Sequence, residues 1–255
     1  MKRIRRVTEP EVIAEFLKNE FYQGEFHSDR ETFEQLVMEA DIHNEQDNAL
    51  RRALLFRRRG HMWRELPTDT QWWQIEFDAK DMDLIRVFPR AQWRRVSNGG
   101  YQLTDIARRI KTEKFSGKTR DFIAKVQALS YRIRTQHDNS SVLLIGIDES
   151  QPFTILEGNH RLAAAMLVSP ELVRSRFQVL CGLSPNMAKS CWYETNFPNL
   201  WRYAQNRLRN LMYDREADVN RVMNTTSSAS IPSVSSAESA MDATVTVRKA
   251  FPGPK

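Results

Sequence analysis

The chain has 255 residues, 41% of them hydrophobic and 27% charged, the make-up of one or two globular domains with enough length to bury a core without disulfides. No apolar run approaches the ~18 residues that cross a bilayer, and the basic start Met1-Lys2-Arg3-Ile4-Arg5-Arg6 has no apolar signal core behind it, so a cytoplasmic protein without membrane contact is expected. The formal net charge of +6 admits an anionic partner, but Arg is interspersed with plentiful Asp and Glu, so charge alone selects no partner class.

Residues 1–69 read as a helical N-terminal extension. Thr8 followed by Glu11 is a capping box, Pro10 suits an early helical position, and Val12, Ile13, Phe16 and Leu17 fall on one face. A second helix is expected from Ser28 or Asp29 to Glu39, and a third from Glu45 to Trp63. The run Arg57-Arg58-Arg59 on the third is read as a solvated face, with phosphate contact as the other reading. From Thr70 the period changes. Trp72 to Phe77 alternates like a strand, and Leu84 to Val87 forms a short strand or a turn before Pro89. Leu103, Ile106, Ala107 and Ile110 recur at helical spacing, and Phe122 to Ile133 is a longer amphipathic helix.

Val142 to Ile147 is a short apolar run of the kind found in buried strands, and Phe153 to Leu156 follows a turn, so the two are expected to pair as a hairpin. An Ala-rich helix over 162–167 and a strand over 177–181 complete a core spanning 70–184. Residues 185–224 are expected to supply a closing helix over 196–223, with Leu200, Tyr203, Leu208, Leu211 and Met212 packing inward. Cys191-Trp192-Tyr193 and Trp201 are read as core beneath that helix. Residues 225–255 are rich in Ser, Thr, Ala and Pro and are expected to be a disordered tail. Cys181 and Cys191 have no zinc-ligand spacing and are read as reduced thiols, and His137 as a cation at a helix end.

The segment that carries chemistry is strand, then Glu157-Gly158-Asn159-His160-Arg161, then helix. Gly158 permits a sharp turn and close approach to a ligand. The following helix offers unpaired N–H groups and the positive end of its dipole, which is an anion site. His160 and Arg161 add side-chain donors there, Arg with the fork that grips phosphate. Glu157 is a carboxylate placed to take a proton or help hold Mg²⁺. The plainer reading is a helix start in which Asn159 caps and Arg161 pairs with an acid.

On these residues, positions 72–184 resemble the ParB N-terminal/sulfiredoxin superfamily. The matching parts are the strand 72–77, the turn Phe88-Pro89-Arg90-Ala91-Gln92-Trp93-Arg94, the helix 103–110, the strands 142–147 and 153–156, the box Gly158–Arg161, the helix 162–167 and the strand 177–181. Family members carry Gly-Glu-Arg-Arg with CTP, Gly-Cys-His-Arg with ATP, or, in free serine kinases, Gly-x-His-Arg with ATP. Gly158-Asn159-His160-Arg161 is most similar to the last two. The resemblance implies an α+β fold with a small mixed sheet, and Gly158, Asn159, His160 and Arg161 as nucleotide-binding residues. It also places Arg90 and Arg94 near the nucleotide, where surface charge is the other reading.

Three departures narrow the expectation. Asn159 stands where sulfiredoxins have their cysteine, so sulfinic acid repair is not expected. No basic helix-turn-helix region follows, so chromosome partitioning is not expected either. The kinases' catalytic Glu is missing from the first Pro-containing turn, which leaves Glu157 or Glu76 for that role. Two functional classes stand. One is an ATP-dependent (or CTP-dependent) phosphotransferase with Mg²⁺, acting on a small hydroxyl- or amine-bearing substrate such as an amino acid. The other is a nucleotide-responsive binding module, or a nucleic-acid partner, without turnover.

Overall fold

A computed structural model describes residues 1–136, 140–212 and 214–229. The elements, in chain order, begin with β1 (Lys2–Val7), α1 (Glu9–Glu20), α2 (Arg30–Met38) and α3 (Glu45–Trp63). The middle of the chain supplies β2 (Gln71–Glu76), β3 (Ile85–Val87), α4 (Ala91–Ser97), α5 (Leu103–Thr112) and α6 (Gly117–Thr135). Then come β4 (Ser141–Gly146), β5 (Phe153–Glu157), α7 (Asn159–Val168), α8 (Pro170–Ser175) and β6 (Gln178–Leu183). The last elements among the described residues are α9 (Phe197–Arg209) and α10 (Val219–Ala229).

One mixed sheet runs through the molecule in the order β1-β2-β6-β4-β5-β3. β4 is parallel to β6 and β5 to β3, while the other three pairings are antiparallel. The fold class is therefore α+β, and the expected strands over 72–77, 142–147 and 153–156 share one sheet. β4 and β5 pair as the expected hairpin, and Asp148 Oδ1 shapes the turn by accepting from the backbone N–H groups of Ser150 and Gln151.

β4 explains the layering. All six of its residues are buried, and successive side chains alternate between faces. Val142 and Leu144 enter a core built with α4, α5, α6, α7 and α8. Leu143 and Ile145 enter a second core built with α1, α2, α3 and the segment after β6, including Cys191, Trp192 and Val219. Helices thus cover both faces of the central strands.

Several local signals act as their chemistry dictates. The Thr8 hydroxyl accepts from Glu11 N–H while the Glu11 carboxylate accepts from Thr8 N–H, which completes the capping box of α1. α3 spans Glu45–Trp63, with Asn44 capping its first turn. Arg57 and Arg58 both pair with the buried carboxylate of Asp29, and Arg59 pairs with Glu20 and Glu25, so the triple-arginine run is tied down rather than solvated. Both cysteines are buried free thiols.

Other expectations are corrected. Lys2–Val7 is a strand on the sheet edge, not part of a helical extension; its long polar side chains hid the alternation. The second half of the Phe88–Arg94 turn belongs to α4, which begins at Ala91, and α8 was not foreseen. The closing helix expected over 196–223 stops at Arg209 and is followed by a short 3-10 turn and α10. Tyr203 packs inward, but Leu200, Trp201, Leu208, Leu211 and Met212 are exposed. The chain stays helical to Ala229, past the expected tail boundary at Thr225; the rest of that tail and His137 lie outside the described residues. Among the described residues no helix is long and apolar enough to cross a membrane.

The two burial classes predict opposite outcomes for the same substitution. Leu144→Ala opens a cavity between the sheet and its helices and should cost about 2–5 kcal/mol. Leu211→Ala, at an exposed site, should change stability by no more than about 0.5 kcal/mol. Urea unfolding of the two variants checks the contrast.

Candidate functional site

The box sits where β5 ends and α7 begins. Gly158 has φ 97°, and a Cβ there would lie 2.7 Å from Val142 Cγ1. Both the left-handed backbone and the close approach to β4 require glycine. No side chain caps the first turn of α7, and the first helical hydrogen bond runs from Leu162 N–H to Gly158 O at 2.9 Å. The N–H groups of residues 159–161 therefore start the helix without an intrahelical acceptor.

This corner opens into a cavity of about 510 Å³. Its walls come from four further helices and from the turn after α1, which gives Gln23 and Glu25. α1 gives Asn19 and Glu20, α3 gives Arg59 and Met62, Arg90 stands at the start of α4 with Gln92 and Trp93 behind it, and Leu129 comes from α6.

Glu157 lies at the centre of a hydrogen-bonded cluster. Its carboxylate pairs with the Arg161 guanidinium one helical turn away and accepts from Asn19 Nδ2 at 3.0 Å. Asn19 Nδ2 also donates to the carbonyl and hydroxyl oxygens of Ser141, at 2.9 and 3.1 Å, while Asn19 Oδ1 accepts from Arg161 at 3.1 Å. Asn19 thus ties the end of α1 to β4, β5 and α7. Burial pushes the Glu157 carboxyl up to about 7, and the nearby Glu20 carboxylate adds to that rise; Arg161 and Asn19 oppose it without cancelling it.

His160 borders the cavity beside the rings of Trp93 and Phe122, with centroids 5.5 and 5.4 Å away. The surrounding protein lowers its pKa, and Arg90 and Lys125 add to that, so the ring is neutral at pH 7 and offers one donor and one acceptor. Asn159 is 9% exposed, and its Oδ1 is buried without a hydrogen-bond partner. It does not cap α7. Arg161 does pair with an acid, as the plainer sequence reading has it.

The structure therefore brings Glu157, Gly158, Asn159, His160, Arg161 and Arg90 to one cavity. It leaves two expected residues apart. Arg94 is exposed, donates to Pro89 O at 2.8 Å and is not among the residues that line the cavity. Glu76 is exposed beside Lys2 and lies three strands from β5, about 14 Å by strand spacing. Residues the sequence did not single out are Asn19, Glu20 and Glu25. Asn19 meets Glu157 across 138 positions, and no local pattern marks such a contact. Arg59 had one signal, its place in an arginine run.

No family model, no curated protein and no solved structure matches the chain. What the site can do rests on its own chemistry: an open helix N-terminus, three arginines at the wall, and a carboxyl whose proton affinity lies near neutrality.

The raised pKa of Glu157 fixes the sign of a pH effect. The folded state holds the proton more tightly than the unfolded chain, so this contribution to stability is complete below about 4.5 and is lost as pH rises through about 7. Glu157→Gln should flatten the stability profile between about pH 4.5 and about pH 7 relative to the parent. Melting temperatures of both proteins across that window test it. A parallel profile would mean that Glu157 is not the titrating group. Gly158→Ala, meeting both φ strain and Val142, should cost more than about 1 kcal/mol.

Proposed function

We propose that the chain is an ATP-dependent phosphotransferase of ParB/sulfiredoxin-like architecture, acting on a small hydroxyl- or amine-bearing substrate such as an amino acid. One observation carries the reading: a carboxyl with pKa near 7 stands in the same cavity as an uncapped helix N-terminus and the Arg59, Arg90 and Arg161 guanidiniums. A catalytic base works best when its pKa lies near the working pH, and the rest of the arrangement suits phosphate.

In this reading the α7 N–H groups and Arg161 hold phosphate oxygens, Arg90 reaches them from the opposite wall, and Arg59 supplies further positive charge. The buried Asn159 Oδ1 accepts from a donor on the bound nucleotide or substrate. His160, neutral at pH 7, donates from the rim. A phosphate that recruits Arg161 withdraws a cation from Glu157. The carboxylate then keeps only the Asn19 donor, and its proton affinity rises, which strengthens it as a base toward the substrate hydroxyl or ammonium. Glu76 takes no part, because its position is too distant.

Magnesium fits as a companion of the nucleotide. Among the described residues no group of three or more His, Cys, Asp and Glu side chains is placed to hold a metal ion, but an ion carried by phosphates needs only one or two carboxylates; Glu20 at the cavity wall would supply one, and Glu157 another only in place of its role as base. When bound, it neutralises phosphate charge.

One observation favours the second reading, a CTP- or ATP-responsive module without turnover. Glu157, Arg161 and Asn19 form a closed cluster, so a phosphate that breaks it releases the link between α1 and the sheet.

Titration calorimetry with ATP and CTP, with and without Mg²⁺, separates these readings. Arg161→Ala should weaken nucleotide binding about tenfold to a hundredfold. Because that change also leaves Glu157 buried without its cation, Arg90→Ala is the companion: Arg90 stacks on Trp192 and makes no ion pair among the described residues. It should weaken binding in the same direction with the fold intact. Glu157→Gln should keep binding and lose turnover. Binding without turnover in the parent, over a panel of amino acids and amino alcohols, selects the responsive module. A parent that binds neither nucleotide refutes both.

A further inference from the structure

α9 is mounted with its polar side inward. Asn199 is buried and donates through Nδ2 to Ala188 O at 2.9 Å and Glu194 O at 2.8 Å. Asn206 Nδ2 donates to Glu65 at 2.6 Å, and Tyr203 packs against Trp192 with ring centroids 5.8 Å apart. The opposite side is apolar and open: Phe197 is 80% exposed, Trp201 62% and Leu208 60%, and Leu211, in the turn just past the helix end, is 78% exposed. A helix that anchors by amides and presents Phe, Trp and Leu outward reverses the usual arrangement.

The spacing of the open face names its occupant. Phe197, Trp201, Ala204, Leu208 and Leu211 follow at intervals of four, three, four and three, the seam that packs against another helix. Ala204 is the small residue at its centre. Phe197 and Leu211 stand seven residues to either side of it, and Leu200 and Leu208 four residues to either side. A second copy of α9, antiparallel and related by a two-fold axis at Ala204, would set Leu200 on the partner's Leu208 and Phe197 on the partner's Leu211. Arg207 would face the partner's Trp201, a favourable cation–ring contact. Antiparallel pairing also keeps the C-terminal ends, with Arg209, away from each other. A two-fold contact requires a self-complementary patch, and this one is self-complementary about a single residue.

We propose that the chain self-associates through α9 as an antiparallel two-fold dimer centred on Ala204. The inference is independent of the nucleotide reading, since α9 contributes nothing to that cavity. One helix face is small beside the ~800 Å² per partner of a standard interface, so the dimer forms in the micromolar range.

Sedimentation velocity on the full chain, from about 5 to about 300 µM, reads the assembly directly. The parent should shift from monomer to dimer across that range. Leu208→Glu should stay monomeric with an unchanged melting temperature, because the site is exposed in the monomer. Ala204→Cys supplies the geometric check. Cys181 and Cys191 are buried, so under mild oxidation the introduced thiols should give a covalent dimer, and Gln205→Cys, off the seam, should not. A parent that stays monomeric throughout overturns the proposal. So does a dimer that survives Leu208→Glu, or one in which Ala204→Cys fails to cross-link. Binding of the monomeric parent to anionic vesicles, abolished by Leu208→Glu, would instead assign the face to a lipid surface and would equally overturn it.

Discussion

The burial of β4 on both faces is the constraint from which the architecture follows. Six consecutive buried residues on one strand demand apolar cover above and below, because each face alternates with its neighbour. The chain answers with the middle helices on one side and the N-terminal helices, together with the segment after β6, on the other. The N-terminal helices and the described segment after β6 are thereby drawn into one core. The sheet edge at β1 carries Lys2, Arg3, Arg5 and Arg6, and charge on an outer strand discourages pairing with other chains.

That layering also makes the candidate site. The β5–α7 corner alone offers a helix start and two side chains. Covering it with α1 and α3 turns it into a cavity and delivers Asn19, Glu20 and Arg59. The same cover removes water from Glu157, which raises its pKa. A carboxylate buried with one arginine and one amide is a balance: the pair is costly to desolvate, and breaking it leaves an uncompensated charge. A ligand that competes for Arg161 acts on this balance directly, which links occupancy of the cavity to protonation of Glu157 and to the hold on α1.

The second open surface lies away from that cavity and has a different origin. α9 is held by specific hydrogen bonds from Asn199 and Asn206, not by an apolar stripe. Its Leu, Phe and Trp residues form a regular helical seam that reads as core in sequence, yet the seam faces outward in the monomer. Period alone gives the existence of an apolar face; it does not say which body covers it.

By itself the sequence determined features whose cause is local. The capping box at Thr8 and Glu11, the span of α3, the hairpin of β4 and β5, and the strand–Gly158–helix box all follow from short-range rules of hydrogen bonding, backbone freedom and apolar period. Six residues of the cavity, Glu157 to Arg161 and Arg90, were readable for the same reason. Tertiary structure decided what depends on contacts between distant segments. It turned the basic Lys2–Val7 into a sheet strand, because β2 offered an unpaired edge. It placed Glu76 outside the cavity, because strand order sets it three strands from β5, and it left Arg94 exposed and bonded to Pro89 O, off the cavity wall. It brought Asn19 to Glu157 across 138 positions, and it turned the apolar side of α9 to the surface, because the buried Asn199 and the half-buried Asn206 found acceptors that helical period does not announce, Glu65 lying 141 positions from Asn206.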